Sequence, residues 1–164
     1  MLAYKLVHMI ETHSEALATR LLEKVQQSES TRSFSKVPPE ELKRRVAEIY
    51  QHLGDWLLAK TDADLRHRYR DIGARRYQQH VPLAELVWAI VLAKQNLWEF
   101  LSAEAIPERL AEVFGELDLL QMMGNFFDRS VHYAIEGYEA ARAEDLVSKM
   151  QTGIALKAVA SRRL

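Results

Sequence analysis

Four side chains near the middle of the chain are of the types that bind metal ions. Glu48 and His52 lie one helical turn apart, and Asp64 and His67 follow at helical spacing. Imidazole and carboxylate groups with these spacings share one face of a helix, where they can ligate the same metal. A carboxylate-bridged di-iron bundle, however, needs Glu-x-x-His twice, and the sequence contains no such pair. Surface ion pairs explain these residues better, and we predict no metal site.

Histidines could also ligate haem, provided that one of them faces an apolar pocket. The candidates are His8, His52 and His132 on partly apolar helical faces, and His80 just before Pro82. Hydrogen bonding is the commoner role of histidine, so we predict no cofactor and keep a haem or small-ligand sensor as the alternative.

Hydrolase, zinc-protease and phosphate-loop motifs are absent from the sequence, so we assign no catalytic residue and predict that the chain is not an enzyme.

A basic segment, residues 65–77, holds five arginines and two tyrosines, a mixture that could bind phosphates and stack on bases. Helical spacing distributes these arginines around the helix, and the formal net charge of the chain is −1. We therefore expect the arginines to pair with carboxylates within the protein or across an interface, and we disfavour nucleic-acid binding. The candidates for ligand or partner contacts here are Tyr69, Arg70, Arg76 and Tyr77.

Two tryptophans, Trp88 and Trp98, complete the candidate list. They are ten residues apart and fall on nearly the same side of a helix. We expect at least one of them to face a ligand cavity or a partner. Core packing is the expected role of most other aromatic residues, which include Trp56, Phe100, Phe114, Phe126, Phe127, Tyr133 and Tyr138.

The helices that would position these residues can be predicted from prolines and apolar periodicity. Proline is tolerated mainly in the first turn of a helix, and each proline or proline pair precedes a stretch with helical apolar spacing. A capping box formed by Thr61 and Asp64 marks a further start. The predicted helices cover about 4–27, 39–59, 61–79, 82–102 and 108–137. The first is expected to bend near 12–14 and to be followed by a polar loop at 28–33.

The fourth predicted helix is apolar nearly all round, since ten of the eleven residues from Leu83 to Ala93 are apolar. Such a helix must be surrounded by protein, either within the bundle or by a second subunit. The fifth would span the body and bury Leu110, Val113, Phe114, Leu117, Leu120, Met123, Phe127, Val131 and Ala134.

Residues 138–164 form a predicted extension helix that is poorly buried, in which Val147, Met150 and Ile154 follow coiled-coil spacing. We divide the chain into a helical sensory and regulatory domain, 1–137, and this extension. Glycines at 73, 115 and 124 lie in helix interiors, which predicts close helix crossings there.

Composition agrees with a single domain of 164 residues, 48% of them hydrophobic. The absence of cysteine favours a reducing, cytoplasmic setting. No apolar run approaches 18 residues, and Lys5, His8 and Glu11 interrupt any leader sequence, so we expect neither export nor a membrane span. Strand signatures are lacking, which predicts an all-α bundle of five to six helices.

The stretch from Tyr69 to Ile90, followed by Leu97 and Trp98, carries a family resemblance. It contains a helix that ends in Gly-x-x-Arg-Tyr, a short polar turn with His80, an apolar residue before Pro82, and then Leu-x-Glu-Leu-Val. This pattern resembles the RsbRD-type N-terminal domain of bacterial regulators of the sigma-B stress pathway.

The resemblance implies a non-catalytic sensory or regulatory domain that acts through dimerisation and a regulatory protein partner. Related stressosome proteins also carry globin-like domains without haem, so the resemblance implies a globin-like bundle. We expect a homodimer formed through the fourth or fifth helix. Such domains usually precede an output module, and this chain ends at Leu164, so we expect a free-standing sensor, an excised domain or a separately encoded partner, with the C-terminal helix transmitting the signal.

Overall fold

The computed structural model describes residues 2–104 and 110–162, with side-chain environments for 4–104 and 117–162. Every regular element in these residues is helical, so the all-α prediction is confirmed. The predicted start of the fifth helix near Glu108 lies outside the described residues, as do the side chains of Leu110, Val113 and Phe114. The α-helices are α1 Leu2–Thr12, α2 Ser14–Gln27, α3 Pro39–Gln51, α4 Asp62–Gln78, α5 Leu83–Glu104 and α6 Leu110–Ser161.

The predicted bend in the first helix is confirmed at His13, which separates α1 from α2 with φ −100° and ψ 16°. Side chains on both sides of the break bond back to the preceding turn: the Thr12 hydroxyl donates to the His8 carbonyl (2.7 Å), and His13 Nδ1 lies 2.8 Å from the Met9 carbonyl oxygen. Such side-chain bonds to backbone carbonyls compete with the regular ladder, which is a common cause of helix bending.

The polar loop predicted at residues 28–33 is wrong, because Glu29–Lys36 form a 3₁₀ helix that is kinked at Thr31 (φ −132°, ψ 27°). The Thr31 hydroxyl is buried and donates to the Val25 carbonyl (2.6 Å), and Phe34 is buried as well. Ser33 bonds through its amide and its hydroxyl to the Glu85 carboxylate (2.7 and 2.9 Å). Glu85 is 52 residues away from Ser33 in the sequence, so local polarity gave no indication of this contact.

The second predicted helix was expected to continue to about Ala59, but α3 ends at Gln51 and a π-helical turn, Asp55–Ala59, follows. His52 leaves α-helical geometry with φ −116° and ψ 27°. The Gly54 amide then donates to the Glu11 carboxylate of α1 (2.9 Å). This tertiary bond accompanies a change of helical pitch that the apolar pattern, still continuous through Leu53, does not reveal.

Both ends of α4 are closed by specific caps. The Asp64 amide donates to the Thr61 hydroxyl (3.2 Å) and the Thr61 amide donates to the Asp64 carboxylate (2.8 Å), which confirms the predicted capping box. At the other end, Val81 N bonds to Arg76 O and His80 N to Tyr77 O, the pattern of a Schellman motif. His80 takes the left-handed position with φ 59°, where glycine is more usual.

The core is divided into two clusters. The main cluster joins all six α-helices, with Ile10, Leu53 and Leu97 fully buried at 0% exposure. The second cluster lies under the 3₁₀ helix and consists of Leu21, Val25, Phe34, Val37 and Val81. Helix α5 contacts both, which agrees with its nearly continuous apolar sequence.

The most extensive contact between two elements is the crossing of α4 and α6. A Cβ atom on Gly73 would overlap the Ala134 carbonyl oxygen, and one on Gly137 would overlap the Arg70 carbonyl oxygen. The two backbones therefore touch, which confirms the close crossing predicted at Gly73. The crossing predicted at Gly124 is wrong, since no atom lies within 4 Å of a Cβ built there. The environment of Gly115 lies outside the described residues.

Helix α6 is 52 residues long, on the order of 78 Å at 1.5 Å per residue, and continues through Gly137 without a break. Its last part carries exposed apolar side chains, including Met150 and Ile154 at 67% exposure each, so the prediction of a poorly buried helical extension is confirmed. The domain boundary at residue 137 stays a prediction. None of the described helices is long and apolar enough to span a membrane.

Replacing Gly137 by alanine should destabilise the fold, because the added methyl group would force the α4 and α6 backbones apart. We expect a loss of about 2 to 3 kcal/mol in the free energy of unfolding, measured by urea titration of the circular dichroism signal. Gly153→Ala is the control, since its Cβ meets nothing within 4 Å. Equal stabilities of the two variants would contradict the close crossing.

Candidate functional site

All five arginines of α4 pair with carboxylates of other helices, as the sequence analysis favoured. Because these carboxylates come from α3 and α6, the ion pairs fix α4 to both neighbours, and the basic segment does not form a free cationic stripe. The pairs and their N to O distances are Arg66–Glu136 (3.0 Å), Arg70–Glu136 (3.1 Å), Arg68–Glu48 (2.8 Å), Arg75–Glu41 (3.5 Å) and Arg76–Glu41 (3.4 Å).

Arg76 is the most deeply buried charge among the candidates, with 3% of its side chain exposed. Its Nη1 donates to the Glu41 carboxylate and to the Gln79 amide oxygen, and the guanidinium lies 5.9 Å from the centre of the Phe34 ring. Burial lowers the pKa of this guanidinium, and Glu41 opposes the change. Arg76 is thus an internal structural charge that joins α4, α3 and the 3₁₀ helix.

We call Glu41, Arg45, Arg75, Arg76 and Gln79 the Glu41 cluster. The Glu41 carboxylate lies 3.5 Å from Arg45 and from Arg75 and 3.4 Å from Arg76. Burial alone would raise the pKa of the Glu41 carboxyl, but the guanidiniums of Arg76, Arg75 and Arg45 outweigh burial and hold that pKa below its ordinary value. One carboxylate here serves three cations.

The two candidate tyrosines take different positions. Tyr69 is buried edge-on against Phe126, with ring centres 6.0 Å apart, and burial raises its pKa to about 12. The Tyr77 hydroxyl donates to Asp145 (2.6 Å), and the bond raises the pKa of Tyr77. Arg70 binds Glu136. Tyr69, Tyr77 and Arg70 therefore all make contacts between α4 and α6 within the chain.

Trp88 and Trp98 lie on the outer side of α5. Trp88 is 40% exposed and Trp98 is half-buried, and Lys94 on the adjoining side pairs with Asp128 of α6 (3.5 Å). We define the outer face as Ala84, Trp88, Val91, Gln95 and Trp98 of α5 together with Leu117, Gln121, Gly124 and Asp128 of α6, all of them exposed or half-buried. This face holds the apolar surface that α5 does not bury within the chain.

The structure does not bring the candidate metal ligands together. Glu48 binds Arg68, Asp64 closes the capping box, His52 lies 3.8 Å from Asp55, and His67 lies 3.6 Å from Asp71. Among the described residues, no three histidine or carboxylate side chains form a group that could hold a metal ion. The four haem candidates are all exposed: His8, His52, His80 and His132.

Sequence analysis missed five members of the site: Glu41, Arg45, Gln79, Glu136 and Asp145. The spacing of Glu41 and Arg45 was a usable signal, because an acidic residue four positions before a basic one on a helix predicts an ion pair. Asp145 had no such signal, since its partner Tyr77 is 68 residues away.

The described residues form an all-α body whose helices are joined by ion pairs, with a final helix that extends beyond it. The family model of the N-terminal domain of the RsbT co-antagonist protein RsbRD matches residues 15–151. The chain belongs to this family of regulatory domains in stress signalling. No curated protein and no solved structure gave a significant match.

Glu41→Gln should destabilise the fold by roughly 3 kcal/mol, because it leaves the buried Arg76 without a carboxylate. The Glu41 pKa is lowered in the folded state, so the stabilisation that it provides is present at neutral pH and is lost as pH falls through that lowered pKa. Urea unfolding of the wild type and of Glu41→Gln from pH 7 to pH 3 should show that the difference in their free energies of unfolding becomes smaller as the pH falls.

Glu48→Gln serves as the matched control, because Glu48 is exposed and its pair with Arg68 should contribute less than about 1 kcal/mol. A similar loss in both variants, or a Glu41→Gln difference that does not change with pH, would contradict the assigned role of Glu41.

Proposed function

We propose that the chain is a sensory and regulatory domain of bacterial stress signalling that acts as a homodimer and transmits its state to a regulatory protein through α6. Membership of the RsbRD N-terminal domain family supports the signalling role. The observation that carries the proposal is the shape of α6, which is anchored in the body at Gly137 and then extends away with exposed apolar side chains.

Homodimerisation through the outer face is the first part of the proposal. The face combines Trp88, Val91 and Trp98 with polar residues at its edges, and a second copy would cover it by isologous pairing. Gly124 adds support: a glycine inside a helix costs about 1 kcal/mol relative to alanine, and no atom of the described chain packs against it. A helix of the second copy would have room to approach there.

Transmission through α6 is the second part. The contacts of α4 with α6 at Gly73, Gly137 and Tyr77–Asp145 fix α4 to α6 at the point where the extension begins and within its first two turns. Because α6 is continuous, a shift of α4 would displace the extension as a lever. Its exposed side chains, Leu146, Val147, Met150 and Ile154, would contact the partner.

The partner that we propose is a regulatory protein of the RsbT type, by analogy with the name of the family. We also propose a cytoplasmic location, which the absence of cysteine supports, and a role without catalysis. A haem is not part of the proposal, because the four histidines that could ligate it are exposed.

The homodimer can be tested by light scattering of the purified protein. The wild type should have the mass of a dimer, and Trp88→Glu should have the mass of a monomer with unchanged helical content, because a buried unpaired carboxylate opposes association. Leu58→Glu is the matched control: Leu58 is 70% exposed on the π-helical turn, and its replacement should leave the dimer intact.

A monomeric wild type, or a Trp88→Glu variant that keeps the dimer mass, would contradict the proposed interface. Loss of the dimer in Leu58→Glu as well would show that any added charge dissociates it, and would contradict the assignment to the outer face.

A further inference from the structure

A cavity of about 90 Å³ lies between the two core clusters. Its wall contains Leu21, Val25 and Phe34 from the second cluster and Tyr69, Leu86 and Ile90 from the main cluster. The wall is almost wholly apolar, and the side chains of Arg45 and Arg76 contribute to it. An apolar chamber with two cations in its wall is an unusual place in a protein core.

The cations at this cavity exceed the anions that neutralise them. Arg45, Arg75 and Arg76 all contact the single carboxylate of Glu41; Arg75 is 44% exposed and does not line the cavity, so the two cations that do, Arg45 and Arg76, share one carboxylate. Arg45 is 18% exposed, and its buried Nε atom lies 3.5 Å from a Glu41 carboxylate oxygen without forming a hydrogen bond to any described residue. Burial and the neighbouring Arg75 lower the pKa of Arg45, which reflects the same imbalance.

Buried charges are ordinarily paired, and a buried N–H group without an acceptor costs free energy that most folds avoid. The Glu41 carboxylate gives Arg45 only this long contact, because it is also contacted by Arg75, Arg76 and Gln79. The arrangement therefore lacks an acceptor that carries negative charge and reaches the cavity.

We infer that the cavity binds a small monocarboxylate with a short apolar tail, whose carboxylate pairs with Arg45 and Arg76 and whose tail lies against the apolar wall. A planar carboxylate matches the fork of donors on a guanidinium. An apolar cavity of about 150 Å³ accommodates benzene, so 90 Å³ suits a tail of roughly three or four carbons. Inorganic phosphate fits the cations but leaves the apolar wall uncovered.

This site is separate from the outer face and from the extension of α6, so the inference does not rest on the proposed dimer or partner. A ligand there would touch α2, α3, α4 and α5 together. Its binding would supply the charge that the Glu41 cluster lacks.

Calorimetric titration with butyrate tests the inference directly. The wild type should bind butyrate saturably at neutral pH, and butyramide, which has the same shape without the charge, should bind on the order of tenfold more weakly or not at all. Failure of the wild type to bind butyrate would overturn the inference. Equal binding of butyramide would also overturn it, because the charge of the ligand would then be irrelevant. Equal binding of inorganic phosphate would overturn it as well, because the apolar tail would then be irrelevant.

Two variants locate the site. Arg45→Met should weaken butyrate binding on the order of tenfold, whereas Arg44→Met, which alters the exposed neighbour of Arg45, should bind as the wild type does. Ala89→Met should abolish binding with every charge in place, because the larger side chain fills the cavity from α5. If Arg45→Met does not fold, Ala89→Met alone tests the location of the site. Unaltered butyrate binding in Ala89→Met would overturn the inference.

Discussion

The architecture depends on the contact of two helix backbones at Gly73 and Gly137. With no side chain at either position, α4 lies directly on α6, and a methyl group on either glycine would overlap a carbonyl oxygen of the opposite helix. The close approach brings Arg66 and Arg70 within reach of Glu136, and it brings Tyr77 within reach of Asp145. The pairs on α6 are therefore consequences of the crossing, and the direction in which α6 leaves the body is set by it.

On its other side α4 meets α3 through charge. Glu41 compensates the buried Arg76, and the same carboxylate is shared with Arg45 and Arg75. A fully neutralised contact would serve stability better, since unpaired buried cations are costly. The imbalance lies beside the cavity between the two core clusters, and this coincidence of excess charge and apolar space distinguishes the region from an ordinary helix contact.

Helix α5 shows why an apolar sequence does not by itself specify its neighbours. Leu86, Leu97 and Leu101 are buried within the chain, as the pattern predicts, but Trp88 on the opposite side is 40% exposed. The apolar pattern predicted that other protein surrounds the helix. It did not show whether that protein is the same chain or a second copy. Only the folded chain shows which side is left open.

The sequence by itself determined the helices whose signals are local: the proline starts, the Thr61–Asp64 capping box, the break near His13 and the exposed extension of α6. It also favoured carboxylate partners for the arginines of α4, because composition supplied the charges. The tertiary structure decided the rest: the 3₁₀ helix, the π-helical turn, the open space at Gly124, and the meeting of Glu41 with three arginines. Those features depend on groups dozens of residues apart, and no local pattern records which of them will meet when helices pack.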